Sequence, residues 1–146
     1  MTKPLSGNHG RGITTNLTNE QELRDGYDAA CARHEEVVVE SYIRGEDHRI
    51  LVIDGKLVAA ARRRPAHVVG DGRSTLRQLI DCENADPRRG VGHENLLTQI
   101  HIDQQTERLV EQAGLTFDSV IPEGEVVLLK STANISTGGT ATDLTD

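Results

Sequence analysis

A chain of 146 residues is long enough to bury one ordinary core and too short for a two-domain enzyme. Tryptophan is absent and only Tyr27, Tyr42 and Phe117 are aromatic, so the core must be aliphatic and nucleic-acid bases would find few rings to stack on. A formal net charge of −7 repels nucleic acid and anionic membranes alike, and no run approaches the roughly 18 apolar residues that a bilayer-spanning helix needs.

From Lys3 to Gly12 the chain is glycine-rich and polar, which reads as loop, and Ile13 to Leu17 then predicts a short strand. Thr18 or Asn19 can cap the next element, because Gln21 and Glu22 follow at capping-box spacing. Leu23, Tyr27, Ala30, Cys31 and His34 recur at helical intervals, predicting a helix over about 19–34. Glu36 to Ile43 begins with three valines, the pattern of a buried strand that runs into something more exposed. Asp54-Gly55 suits a tight type I′ turn, so Arg49 to Ile53 and Lys56 to Ala61 are predicted as antiparallel partners.

After Arg64 the texture changes. Residues 65–124 read as an inserted stretch between an opening region, 1–64, and a closing one, 125–146. The inserted stretch holds Gly70-Asp71-Gly72, a helix capped by Ser74, a basic glycine-bearing segment from Asp86 to Gly92, and a second helix capped by Asp103 and ended by Gly114. Val126 to Leu129 predicts a strand, and Asn134 to Gly139 a loop. Cys31 and Cys82 fall in predicted helices without CxxC spacing or a secretory signal ahead of them, so a reduced, cytoplasmic setting is expected.

Four clusters can carry chemistry. In Lys3 to Gly12 a cation precedes glycines that let backbone N–H groups approach oxyanions, without Walker or dinucleotide spacing. In Glu40 to Asp47 a strand runs into a polar turn, a junction that can offer backbone groups to a purine edge and a carboxylate to ribose hydroxyls. Arg49 and the run Arg62, Arg63, Arg64 flank the Asp54-Gly55 turn, but alternation along a strand forbids all three consecutive arginines from meeting one anion. Lys130 with Asn134, Ser136, Thr137, Gly138 and Gly139 forms a second small-residue loop bearing hydroxyls, an amide and a cation. Taken singly, the first three could equally be a flexible terminus, a solvated strand end and a basic edge. His93, Glu94 and Asn95 are consecutive and cannot readily turn to one metal ion, which favours a structural or polymer-contacting role; the other histidines lack zinc spacing.

In this order the clusters resemble the ATP-grasp superfamily of carboxylate–amine ligases, and the segments Pro65 to Ser74 and Asp86 to Asn95 resemble the aspartate-adding module of the cyanophycin synthetase family. The resemblance implies an α+β ATP-grasp fold with a mainly antiparallel sheet, flanking helices and an inserted helical segment. It makes Lys3 a phosphate contact, Gly7, His9, Gly10 and Gly12 parts of the loop over the phosphates, Glu40, Tyr42 and Ile43 the adenine hinge, and Asp47 the ribose acid. Arg49 and Arg62 or Arg63 would face the γ-phosphate and the acyl-phosphate, while Asn134 with Ser136, Thr137, Gly138 and Gly139 would form the substrate-side loop. Lys130 stands where the resemblance expects arginine.

The implied substrates are ATP, an amino acid and an acidic peptide acceptor, with Mg2+ held outside this chain, because the family's magnesium-binding Glu-x-Asn pair does not occur here. The expected partners are the remainder of a parent enzyme and further copies of that parent in a homo-oligomer, with the isolated chain binding nucleotide weakly and not turning over. Two other readings fit the same residues: a different ATP-grasp amino-acid ligase, of glutathione or glutamate-adding type, or a non-catalytic module for a nucleotide or an acidic polymer.

Overall fold

The computed structural model describes residues 1–7, 11–92 and 95–145, which divide into two compact units, Met1–Gly45 and Glu46–Asp146. The hairpin around Asp54-Gly55, grouped above with the opening region, therefore belongs with the second unit.

In the first unit, β1 (Thr2–Pro4) pairs antiparallel with β2 (Val37–Val39), Lys3 standing opposite Val38. Lys3 thus sits on a strand and not in loop. The run expected to form a strand from Ile13 contributes a single bridge, Thr14 to Thr2, because Asn16 adopts a left-handed φ of 57° that breaks the extended course. Helix α1 (Glu20–Cys31) opens on Asn19, whose side chain accepts from the Glu22 N–H at 2.9 Å, while the Glu22 carboxylate reaches back to the Thr18 N–H at 2.7 Å. Ala30 on its inner face is fully buried.

The second unit runs β3 (Asp47–Ile53), β4 (Lys56–Arg64), β5 (His67–Val69), α2 (Leu76–Asn84), β6 (Arg89–Gly90), β7 (Leu97–Thr98), α3 (Gln104–Gln112), β8 (Val126–Leu128), a 3-10 turn (Ile135–Thr137) and β9 (Thr140–Asp143). Asp54 at φ 53° and Gly55 at φ 74° make the expected primed turn between β3 and β4. Strand β9 adds to the other side of β4, giving an antiparallel sheet in the order β3-β4-β9, and β5 pairs antiparallel with β8. Among the described residues, only the two-residue pair β6-β7 is parallel. The observed class is α+β with mostly antiparallel sheets, as expected.

Helix α2 is capped by Thr75, not Ser74. The Asp71 carboxylate holds the Ser74 backbone N–H and hydroxyl, both at 2.7 Å, so that hydroxyl is already committed and Thr75 closes a capping box with Gln78. These bonds, the Ser74 N–H first, lower the Asp71 pKa to about 2.

The core is Ala66, Val68, Leu76, Ile80, Ile100, Val110, Ile121, Val127 and Leu129, with Leu79, Leu115 and Phe117 packed against it. All but Val127 and Leu129 come from the stretch that the sequence marks as inserted, so this stretch supplies most of the second unit's interior. The β3-β4 hairpin does the opposite: Ile50, Leu51, Val52, Ile53, Leu57 and Val58 are each 45–61% exposed.

Candidate active site

The β1-β2 pairing carries Lys3 to Glu40, just past the end of β2, and the ammonium lies 2.8 Å from the Glu40 carboxylate. Two residues assigned to nucleotide binding from positions 37 apart therefore meet directly. Beyond Glu40, Tyr42 and Ile43 are exposed, Ile43 by 86%, and thus present apolar surface next to a charged pair. Nothing lies within 4 Å of a side chain built at Gly7, while Gly12 takes a φ of 75° that favours glycine. His9 and Gly10 lie outside the described residues. A cation, an acid and an exposed apolar pair suit an adenine nucleotide, whose phosphates want the first and whose base wants the last.

In the second unit the β3-β4 register decides which arginines act together. Arg49 stands opposite Ala61, so Arg49, Ala61 and Arg63 share one face of the sheet, and Ala141 of β9, opposite Arg63, continues it. On that face they line a cavity of about 350 Å³ with Asn134, Ile135 and Ser136 on one side and Asn95, Leu96 and Thr98 on another. Arg63 donates from Nε to the Asp47 carboxylate at 2.7 Å, so the acid expected at the ribose is held by an arginine of this cavity. Arg49 has no ion-pair partner among the described residues and is the unspent cation of the site.

Arg62 departs from the expected grouping. It projects from the other face of β4, where Nη1 reaches Glu46 at 3.2 Å, and it does not line the Arg49 cavity. Strand alternation separates it from its neighbour Arg63.

The turn carrying the substrate-side residues is built from its own backbone. Asn134 accepts from the Thr137 N–H at 3.2 Å and hydroxyl at 3.1 Å and from the Gly139 N–H at 2.9 Å, which leaves its side chain free of capping duty. Thr137, Gly138 and Gly139 therefore shape the turn, while Asn134 and Ser136 line the cavity. A Cβ at Gly139 would stand 2.6 Å from the Arg64 carbonyl oxygen and 2.7 Å from that of Asn134, so only glycine lets the turn pass this close to the end of β4.

Two cations hold this frame. Arg89, 6% exposed, donates from Nη1 to the carbonyls of Thr98 and Gly138, both at 2.9 Å, and from Nη2 to Glu83 at 3.2 Å. Lys130, 3% exposed, reaches Asp103 at 2.7 Å, the Thr106 hydroxyl at 2.9 Å and the His101 carbonyl at 3.0 Å. It pins the start of α3 and lines neither cavity of this unit, so the position where the resemblance expects arginine has a scaffolding task here. Asn95, Leu96 and Thr98 are the residues that sequence reasoning missed. Their signal was weak, because a two-residue parallel strand carries no periodicity and Asn95 was read with His93 and Glu94 as structural or polymer-contacting.

Among the described residues no group of three or more His, Cys, Asp or Glu converges as a metal site. No helix among them is long and apolar enough to cross a membrane.

An ion-paired lysine on β1, and paired strands that bring arginines to a cavity beside a glycine turn, are in keeping with an ATP-grasp ligase. The chain belongs to the ATP-grasp family: residues 1–117 match the family described as prokaryotic glutathione synthetase, ATP-grasp domain. Over its whole length it is 51% identical to cyanophycin synthetase of Crocosphaera subtropica and 52% identical to that of Trichormus variabilis, spanning 17% and 16% of those proteins. A bifunctional glutathione biosynthesis protein of Streptococcus agalactiae is 36% identical over the whole chain, which spans 20% of it. The crystal structure of a bifunctional glutathione synthetase from Pasteurella multocida matches 99% of the chain and 20% of its own, with a TM-score of 0.64 and 34% identity.

Proposed function

We propose that the chain supplies nucleotide- and acceptor-handling residues to an ATP-dependent carboxylate–amine ligase of the cyanophycin synthetase kind, which extends an acidic peptide by an amino acid, aspartate by resemblance. ATP supplies the phosphoryl group that converts the acceptor carboxylate into an acyl-phosphate, from which an amine then displaces phosphate to form the amide. Lys3 holds phosphate oxygens, Glu40 and Asp47 take nucleotide hydroxyl or amine groups, and Tyr42 and Ile43 cover the base. Arg49 and Arg63 hold the acceptor carboxylate and the charge that develops on the transferred group, where fixed guanidinium donors act most strongly. Asn134 and Ser136 orient the acceptor from the opposite wall. Magnesium ligands are assigned outside these residues, and the 146-residue chain alone is expected to bind nucleotide weakly without turnover.

The observation that carries this reading is the unpaired Arg49 beside Arg63, Asn134 and Ser136 in one cavity. It is tested by Arg49→Ala in the complete ligase that contains this chain, following ADP release with aspartate and an acidic acceptor peptide. A fall in kcat/KM of about 100-fold or more with folding intact is expected, the range seen when one fixed donor to a developing charge is removed. An unchanged kcat/KM would remove Arg49 from the site. The 36% identity to the streptococcal protein favours a second reading, a glutathione-type ligase, which replacing the acidic peptide by a γ-glutamyl acceptor in the same assay discriminates.

A further inference from the structure

Strand β4 has two functional faces, and the second one is not used by the site above. Alternation puts Arg62 and Arg64 on the side away from Arg63, and the register sets Thr142 opposite Arg62 and Thr140 opposite Arg64. With His67 and Arg88 these residues line a separate cavity of about 280 Å³.

The charges there do not cancel internally. Arg62 is shared with Glu46 at 3.2 Å, and Arg88 is clasped by Asp86 at 2.6 Å, a contact that lowers the Asp86 pKa to about 2. Arg64 has no acidic partner among the described residues. Glu83 is the one carboxylate among the lining residues, and Arg89 already holds it. Arg89 also lines this cavity, its side chain 2% exposed, and its buried Nε makes no hydrogen bond. His67 Nδ1 stands 2.8 Å from the Pro65 carbonyl oxygen; an oxygen that can only accept fixes the proton on Nδ1 and leaves Nε2 uncommitted. Three of the four arginines are each paired with one carboxylate, so the cluster keeps one net positive charge, at Arg64, and one unbonded buried donor, Arg89 Nε, and both call for an anion.

We propose that this cavity is a second oxyanion site, separate from the acceptor cavity, that takes a phosphate or a carboxylate group. Donors arrive from several directions: guanidinium groups of β4 and of the segment before β6, and hydroxyls of β9. Such a spread suits the several oxygens of one compact anion better than a planar ring. The volume admits an anion of that size. Because Arg89 also holds the Gly138 carbonyl, an anion here sits one side chain away from the turn that closes the acceptor cavity.

The test titrates the full 146-residue chain, at constant ionic strength, with inorganic phosphate and separately with an Asp-Asp dipeptide, following backbone amide resonances. Saturable shifts are expected at Thr140, Thr142 and His67. Arg64→Ala should weaken binding at least tenfold, and Arg49→Ala should leave those shifts in place. Arg88→Ala, whose side chain is 65% exposed and whose loss cannot disturb the core, should weaken binding by a smaller factor. Dipeptide shifts that compete with phosphate identify a peptide carboxylate as the occupant, and phosphate shifts alone identify the free ion; either result supports the site. Non-saturating shifts, or binding indifferent to both Arg64→Ala and Arg88→Ala, overturn it.

Discussion

The β3-β4 hairpin and the segment from Ala66 to Leu129 contain similar residues and use them in opposite ways. In the hairpin the aliphatic residues are exposed and two of the four arginines, Arg49 and Arg64, have no acidic partner among the described residues. In the segment the aliphatic residues form the core, and the two buried cations in it and at its end are committed: Arg89 on two carbonyls and Glu83, Lys130 on Asp103, Thr106 and a carbonyl. A buried cation held by backbone carbonyls and side chains builds a scaffold, and an exposed one left without an acidic partner is available to a site. Burial and partnership separate the two kinds where residue type does not.

The contrast breaks most visibly in the core. Leu76 is fully buried among Val68, Ile80 and Ile121, so Leu76→Ala removes transfer energy and leaves a cavity, at a cost of about 2–5 kcal/mol in denaturant unfolding. Ile53→Ala deletes nearly as much side chain at a position 55% exposed and should cost less than about 1 kcal/mol. Comparable losses at the two positions would show that the hairpin is covered in solution.

A second prediction sharpens the role of the spent cations. Lys130→Met removes a charged donor from Asp103, Thr106 and the His101 carbonyl and should cost about 1.5–3 kcal/mol. The pair also sets an acid dependence. Partial burial pushes the Asp103 carboxyl up, but the Lys130 ammonium and the Thr106 N–H outweigh it and hold the pKa below the ordinary carboxylate value. A folded-state pKa below the unfolded one gives stability that is present above about pH 4 and lost as pH falls through the folded value. Asp103→Asn should flatten that acid limb of the stability curve, and an unchanged limb would mean that other carboxylates carry it.

Much of this was legible in the sequence, for identifiable reasons. Asp54-Gly55, the Asp103 cap and the α1 periodicity are local signals, and local physics decided them. Alternation already required Arg62 to Arg64 to divide between faces, but only the register with Arg49 shows that Arg63 is the one that joins it. The Ser74 cap failed because a nearer competitor, Asp71, takes the hydroxyl, and the Lys130 task depends on α3 arriving from another part of the chain. Asn95 and Thr98 reach the Arg49 cavity through the short parallel pair β6-β7, a tertiary arrangement that no window of sequence encodes.

The smallest stability effect belongs to the first unit and tests the same distinction from the other side. Lys3 and Glu40 are paired at 2.8 Å, yet their side chains are 35% and 42% exposed, so solvent screens the pair and Lys3→Ala should cost less than about 1 kcal/mol. A scaffold pin of that strength would hardly matter. A phosphate contact would, because the charge it brings to the ligand is lost outright: nucleotide affinity should fall by about tenfold or more in equilibrium binding, while the unfolding midpoint barely moves. Glu40→Gln offers the complementary check, since it frees the ammonium without removing it and should leave phosphate contacts intact. If Lys3→Ala instead lowers stability by several kcal/mol and leaves nucleotide affinity unchanged, Lys3 joins Arg89 and Lys130 among the pins.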